Sequence, residues 1–234
     1  MRKIVIHPDF EKYSAFIEAI PDIFSSEGVT IYKDRNEVKI FDVEGLEFVV
    51  KSFKIPHFIN KIAYSFIRSS KAERSYTNAL EITRKGVLTP TPMAYIEIKK
   101  SGLLFNSFYI SGKSQYQREL RELSLSPDLP EAYPVLDSFA RFTAALHDKG
   151  IYHKDYTPGN ILFGKTGDSY SFELIDINRM KFCEIDLKMG CQNFSKLCIL
   201  DDFYRFVAQK YALARGYDVN EAVELMIKYR DPDA

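Results

Sequence analysis

Residues 152–163 read YHKDYTPGNILF. His153 and Asp155 stand two apart, and Asn160 follows five residues after the Asp. A carboxylate and an amide at this spacing, just ahead of the apolar triplet ILF, suit a loop that transfers a phosphoryl group. Such a reaction needs positioning and charge neutralisation more than covalent chemistry. One carboxylate must orient the attacking hydroxyl and take its proton, the role open to Asp155. Oxygen ligands must hold Mg²⁺, which suits Asn160 and a further acid. A cation must hold the inner phosphates. His153 reads as structural, its ring holding the loop. The bland alternative is a polar loop around the Pro158-Gly159 turn.

The other parts occur in the order in which protein kinases carry them. Lys51 follows Val49 and Val50 in LEFVVKSF, much as the phosphate-binding Lys does in the kinase VAIK pattern. Glu73 lies on the helix that follows and is the candidate partner of Lys51 in holding ATP. Glu81, two turns on, is the other candidate, because Glu73 also fits a capping box with Ser70. Asp176 ends the apolar stretch YSFELID, where a kinase places the metal-binding Asp of DFG. The candidate assignment is therefore Asp155 for catalysis, Lys51 and Glu73 for ATP, and Asn160 and Asp176 for Mg²⁺.

HKDYTPGNILF followed by ELIDINRMKF resembles the lipopolysaccharide core kinases, the Kdo/WaaP group of sugar kinases. SKAERSYTNALEITRKGVLTPTPMAYIE is similar to that family's Lys-to-hinge segment. The resemblance spans roughly residues 30 to 210. It implies ATP-dependent phosphorylation of a sugar hydroxyl, on Kdo or heptose of the lipopolysaccharide inner core, and gives Lys51, Asp155, Asn160 and Asp176 the roles above. Arg179 falls in the family's D-x-x-R-like run. The chain departs from the protein-kinase pattern in several places. No GxGxxG precedes Lys51, position 154 is Lys rather than Arg, the DFG-like triplet is Asp176-Ile177-Asn178, and no APE motif follows. TPGNIL also resembles aminoglycoside and choline kinases. A kinase of another small molecule or of a protein, or a non-catalytic module on the same fold, are the alternatives.

These residues need a scaffold, and the pattern supplies one. VTIYK, EVKIFDV and LEFVVKSF read as a strand meander, with turns at Asp34-Arg35-Asn36 and Glu44-Gly45. Helices are expected over 58–67 and from Ser70 to Gly86. MAYIEIK and LLFNSFYIS add two strands around Ser101-Gly102. A helix is expected over 115–125, and PVLDSFARFTAALHDKG places Val135, Leu136, Phe139, Phe142, Ala145 and Leu146 on one face. A hairpin, ILF to YSFELID, follows the loop, and two or three helices follow from about 193 to 230, with Gly216 as a stop. The expected fold is α+β, bilobal and protein-kinase-like. A five-stranded antiparallel sheet with one or two helices would occupy residues 1–111, and a small, mainly helical lobe with the catalytic loop 112–234.

Composition narrows the function further. The 234 residues carry 32 basic and 32 acidic side chains, so global charge gives no argument for a nucleic-acid partner. Cys183, Cys191 and Cys198 are odd in number and lack CxxC spacing, which favours a reducing compartment and argues against zinc. His7, Pro8 and Asp9 interrupt the N-terminal apolar run, and no run approaches a membrane span. A cytoplasmic location is expected. Residues 51–74 hold Lys51, Lys54, Lys61, Arg68, Lys71 and Arg74 against Glu73 alone. That segment either lies on anionic lipid at the inner membrane or packs on the sheet with a solvated basic edge.

Overall fold

The structure is a computed structural model that describes residues 1–53, 69–126, 128–197 and 199–231. The helix expected over 58–67, and most of the basic stretch 51–74, lie outside the described residues. The chain divides into two compact units, residues 1–81 with 90–114 and residues 82–89 with 115–234.

The first unit is built on an antiparallel sheet of β1 (Arg2–Ile6), β2 (Val29–Lys33), β3 (Asn36–Val43), β4 (Leu46–Phe53), β5 (Pro92–Lys100) and β6 (Leu103–Gly112), with helix α1 (Ser14–Ile23) and all but the last three residues of helix α2 (Lys71–Arg84). The strand order is β1-β5-β6-β4-β3-β2. The sheet thus has six strands where five were expected. The sixth is β1, whose short RKIVI run pairs with β5 from Arg2 opposite Ile98 to Ile6 opposite Ala94. Pairing with a strand some ninety residues away leaves no local turn signal to read. Helix α1 was also not expected. Tyr13, Ile17, Ile20 and Phe24 recur at helical spacing and form one core with Phe41, Phe48, Val50, Ile96, Phe108 and Ile110 of the sheet.

The turns follow their residues. Glu44 and Gly45 have φ of 55° and 79°, and Ser101 and Gly102 have 50° and 78°. Two successive positive φ values match the twist of a tight hairpin. The β2–β3 connection is made without glycine by Asp34 and Arg35. On the sheet, Tyr95 is opposite Tyr109, and Tyr109 opposite Lys51. Directly paired residues share a face, so these three side chains form one row.

The second unit contains β7 (Arg118–Glu119), α3 (Glu122–Leu125), α4 (Ala132–Asp148), β8 (Ile151–His153), β9 (Ile161–Thr166), β10 (Ser169–Leu174), β11 (Met180–Phe182), α5 (Leu187–Asn193), α6 (Asp201–Arg215) and α7 (Val219–Tyr229). The helix expected over 115–125 is replaced by β7 and the single turn α3. Arg118 pairs with Phe163 at the edge of the β9–β10 hairpin. Its guanidinium lies 4.7 Å from the Phe163 ring centroid and also meets Glu122 and Glu131. A strand edge and a ring outcompete the local helical preference there. Helix α4 buries Val135, Leu136, Phe139 and Leu146 completely, as its spacing predicts, but Phe142 of that face is only half-buried and Ala145 is exposed, with Ala144 buried instead. No described helix is long and apolar enough to cross a membrane.

Candidate active site

The loop that follows β8 is fastened at His153, Asp155 and Asn160. His153 is fully buried. Its Nδ1 accepts the Asp155 N–H at 3.1 Å, and its Nε2 donates to the Ile175 carbonyl at 3.2 Å. That pairing requires the neutral ring with the proton on Nε2. Burial lowers the pKa of His153, against the smaller opposing pull of the Ile175 carbonyl, Asp176 and Asp155. Asn160 donates Nδ2 to the Asp155 carbonyl at 2.9 Å, and its own carbonyl accepts the Ile175 N–H at 3.0 Å. The end of β10 is thereby tied to both ends of the loop. These bonds hold the backbone of Asp155, Asn160 and the residue before Asp176 together in this unit.

Asp176 has left-handed backbone geometry, φ 53° and ψ 44°. A non-glycine residue in that region carries strain of order 1 kcal/mol or more, and such residues gather at functional sites. Asn178 donates Nδ2 to Asp176 Oδ1 at 2.7 Å, which fixes the carboxylate. The candidate metal-binding oxygens are those of the Asp176 carboxylate and the Asn160 side-chain amide. Among the described residues no group of three or more His, Cys, Asp and Glu side chains is gathered for a metal. A sparse, hard oxygen donor set fits Mg²⁺, which is usually held by one or two protein oxygens and completed by phosphate and water.

The loop rests on a buried polar chain. The Tyr211 hydroxyl meets His147 Nδ1 at 2.8 Å, His147 Nε2 meets Asn193 Oδ1 at 2.9 Å, and Asn193 donates Nδ2 to the His153 carbonyl at 2.8 Å. Asn193 Oδ1 can only accept, so the His147 proton sits on Nε2 and Nδ1 accepts from Tyr211. Tyr156, within the loop, is buried and shares a 2.8 Å hydrogen bond with Thr143. Gly159 admits the Arg121 guanidinium so closely that a Cβ there would fall 1.7 Å from Nη2.

A cation beside Asp155 was not singled out in the sequence. Lys196 Nζ lies 3.5 Å from Asp155 Oδ1. It is 41 positions from Asp155 and belongs to no recognised spacing, so only the packing of α5 against the loop reveals it.

In the first unit, Lys51 lies on β4 with its ammonium 5.5 Å from the Phe53 ring centroid. Helix α2 packs on the same face, since Glu73 Oε1 accepts from the Tyr95 hydroxyl at 3.0 Å and from Lys3 Nζ at 2.8 Å. Burial works to raise the Glu73 pKa, but the hydrogen bonds from Lys3 and Tyr95 outweigh it and hold the carboxyl below its ordinary value. Ser70 caps α2 by accepting the Glu73 N–H at 3.0 Å. Lys3 and Tyr95 were not named from the sequence.

Residues 52–203 match the family model of the lipopolysaccharide kinase (Kdo/WaaP) family. The chain belongs to this kinase family. Its fold is similar to that of WaaP, solved in complex with acyl carrier protein, at a TM-score of 0.67 and 14% identity, over 97% of this chain and 96% of that one. It is also similar to WbdD, at a TM-score of 0.53 and 16% identity, over 86% of this chain and 45% of that one. Both likenesses establish a protein-kinase-like fold. Among curated proteins, ribosomal protein S6 kinase 2 alpha of Xenopus laevis is 28% identical over 157 residues, 63% of this chain and 19% of that protein. Serine/threonine-protein kinase pkn2 of Myxococcus xanthus is 33% identical over 79 residues, 33% of this chain and 9% of that protein. The chain thus spans less than a fifth of the length of these curated relatives.

Proposed function

We propose that the protein is an ATP- and Mg²⁺-dependent phosphotransferase that phosphorylates a sugar hydroxyl, on Kdo or heptose of the lipopolysaccharide inner core. The observation that carries this reading is the fastening of Asp155, Asn160 and the end of β10 into one unit by His153 and the Asn160–Ile175 hydrogen bond, in a chain of this kinase family. Asp155 orients the acceptor hydroxyl and takes its proton. Asn160 and Asp176 would hold Mg²⁺, which when bound neutralises the phosphate charge. Lys51 holds the inner phosphates, with α2 seated on its face through Glu73. The uncommon Asp176 backbone and the ring of loop hydrogen bonds serve preorganisation, which is where phosphoryl transfer draws most of its rate.

A glycolipid acceptor would bring the protein to the cytoplasmic face of the inner membrane, with the basic stretch 51–74 toward anionic lipid. The test is transfer of labelled phosphate from ATP to purified Kdo- and heptose-bearing core acceptors, with Asp155→Ala alongside and with Mg²⁺ removed by chelation. Transfer that needs Asp155 and Mg²⁺ supports the proposal. Transfer only to an acceptor lacking core sugars would reassign the substrate, and no transfer with no nucleotide binding would leave a binding module.

A further inference from the structure

Lys196 ends the 3₁₀ turn Phe194–Lys196 that follows α5, and that turn is held rigidly. Asn193 is locked between His147 and the His153 carbonyl. Phe194 is fully buried, with Tyr211 at a centroid distance of 4.9 Å and Tyr156 at 6.3 Å. Leu197 is buried, and the Ser195 carbonyl accepts the Asp231 N–H at 2.9 Å. The ammonium of Lys196 therefore reaches Asp155 from a fixed base. The ion pair itself adds little stability. The side chains of Lys196 and Asp155 are 45% and 29% exposed, and pairs so exposed contribute little. The loop itself supplies no basic residue between Asp155 and Asn160, where the sequence reads Tyr156-Thr157-Pro158-Gly159. A phosphoryl group delivered to a bare carboxylate would be repelled by it.

We propose that Lys196 is the cation that binds the transferred phosphoryl group beside Asp155, a role that rests on the kinase reading. In the step, the acceptor oxygen forms a bond to the γ-phosphorus of ATP and the bond from that phosphorus to the β–γ bridging oxygen breaks. ADP leaves with the electron pair, and the hydroxyl proton passes to Asp155. Lys196 offsets the charge on the oxygens in flight and keeps Asp155 in place before the substrate arrives. It is thus a phosphoryl-binding residue brought from a different part of the chain than the loop it serves.

The test uses calorimetric titration of ADP and of the non-hydrolysable β,γ-imido analogue of ATP, each with Mg²⁺, into the wild type, Lys196→Met and Lys196→Arg. A charge-assisted hydrogen bond to the third phosphate predicts that the Met variant binds the triphosphate about tenfold or more weakly while ADP affinity holds, and that Arg recovers most of the loss. Thermal melts confirm that the variants fold, and Lys196→Gln replaces the Met variant if that one does not. Equal weakening of both nucleotides, or no change in either, would overturn the role of Lys196 and leave the kinase reading standing. A wild type that binds neither nucleotide would overturn the kinase reading, and this proposal with it.

Discussion

The side-chain amide of Asn193 donates to the backbone carbonyl of His153 at 2.8 Å while its oxygen meets the buried ring of His147. One residue of α5 thus couples the end of α4 to the start of the candidate catalytic loop. Asn193→Ala strands two buried polar groups, each worth roughly 1–3 kcal/mol when unsatisfied. We expect a loss of about 2–4 kcal/mol in urea unfolding, with phosphoryl transfer reduced well beyond what the folded fraction explains.

His147 makes stability depend on pH. Burial lowers its pKa from 6.5 to about 4. Between those values the unfolded chain binds a proton that the folded chain refuses. Its contribution is therefore full above about pH 6.5 and is lost as pH falls toward 4, a change of roughly 3 kcal/mol. Denaturant unfolding measured across that window should show the fall. In His147→Gln the slope with pH should flatten, whatever the variant's absolute stability.

Two glycine substitutions should separate by mechanism. In Gly190→Ala the new methyl would lie 2.1 Å from the buried Tyr211 hydroxyl and 3.4 Å from His147 Nδ1. Breaking that pair and overpacking α5 should cost about 2–3 kcal/mol. In Gly159→Ala the methyl meets the end of the Arg121 side chain, which is 59% exposed and can swing away. A melting temperature near that of the wild type, with altered transfer kinetics, is the expected result.

Asp155→Ala should lower kcat by about 10²–10⁴-fold while leaving Mg²⁺-dependent nucleotide binding in place, as expected for loss of a general base. Asp176→Ala should instead abolish the Mg²⁺ dependence of binding. Calorimetry with and without the metal distinguishes the two. The reverse pattern would exchange the roles assigned to these carboxylates.

Lys3→Met removes one donor to Glu73 while the Tyr95 hydroxyl remains. With Lys3 and Glu73 side chains 48% and 24% exposed, the stability cost should be about 1 kcal/mol or less. If α2 must be seated for Lys51 to act, ATP affinity falls more than stability does. Titration of ATP into this variant, beside Tyr95→Phe, measures that difference.

The parts legible in the sequence were those encoded locally. The turns at Glu44-Gly45 and Ser101-Gly102, the α4 stripe and the His153–Asn160 spacing each lie within a few residues of one another. Most of the parts missed were encoded at a distance. β1 has too few residues to show periodicity and is a strand only because β5 receives it. Helix 115–125 gave way because Arg118 found Phe163, 45 positions on. Lys196 and Lys3 have no sequence signature, since each is defined by the carboxylate it meets. The apolar spacing of Tyr13, Ile17, Ile20 and Phe24 was available to be read and does place α1.

The pairing of β1 with β5 bears on how the chain is made. Residues 2–6 have their hydrogen-bonding partner about ninety residues later, so on the ribosome they wait while β2, β3 and β4 can already form their hairpins. Closure of that long loop is slow, because contacts distant in sequence form late. Until it closes, β5 has an open edge that a strand from another chain could occupy. Since β1 also brings Lys3 to Glu73, its late arrival would be the step that completes the seat of α2, and a refolding assay should find ATP binding lagging behind the recovery of sheet signal.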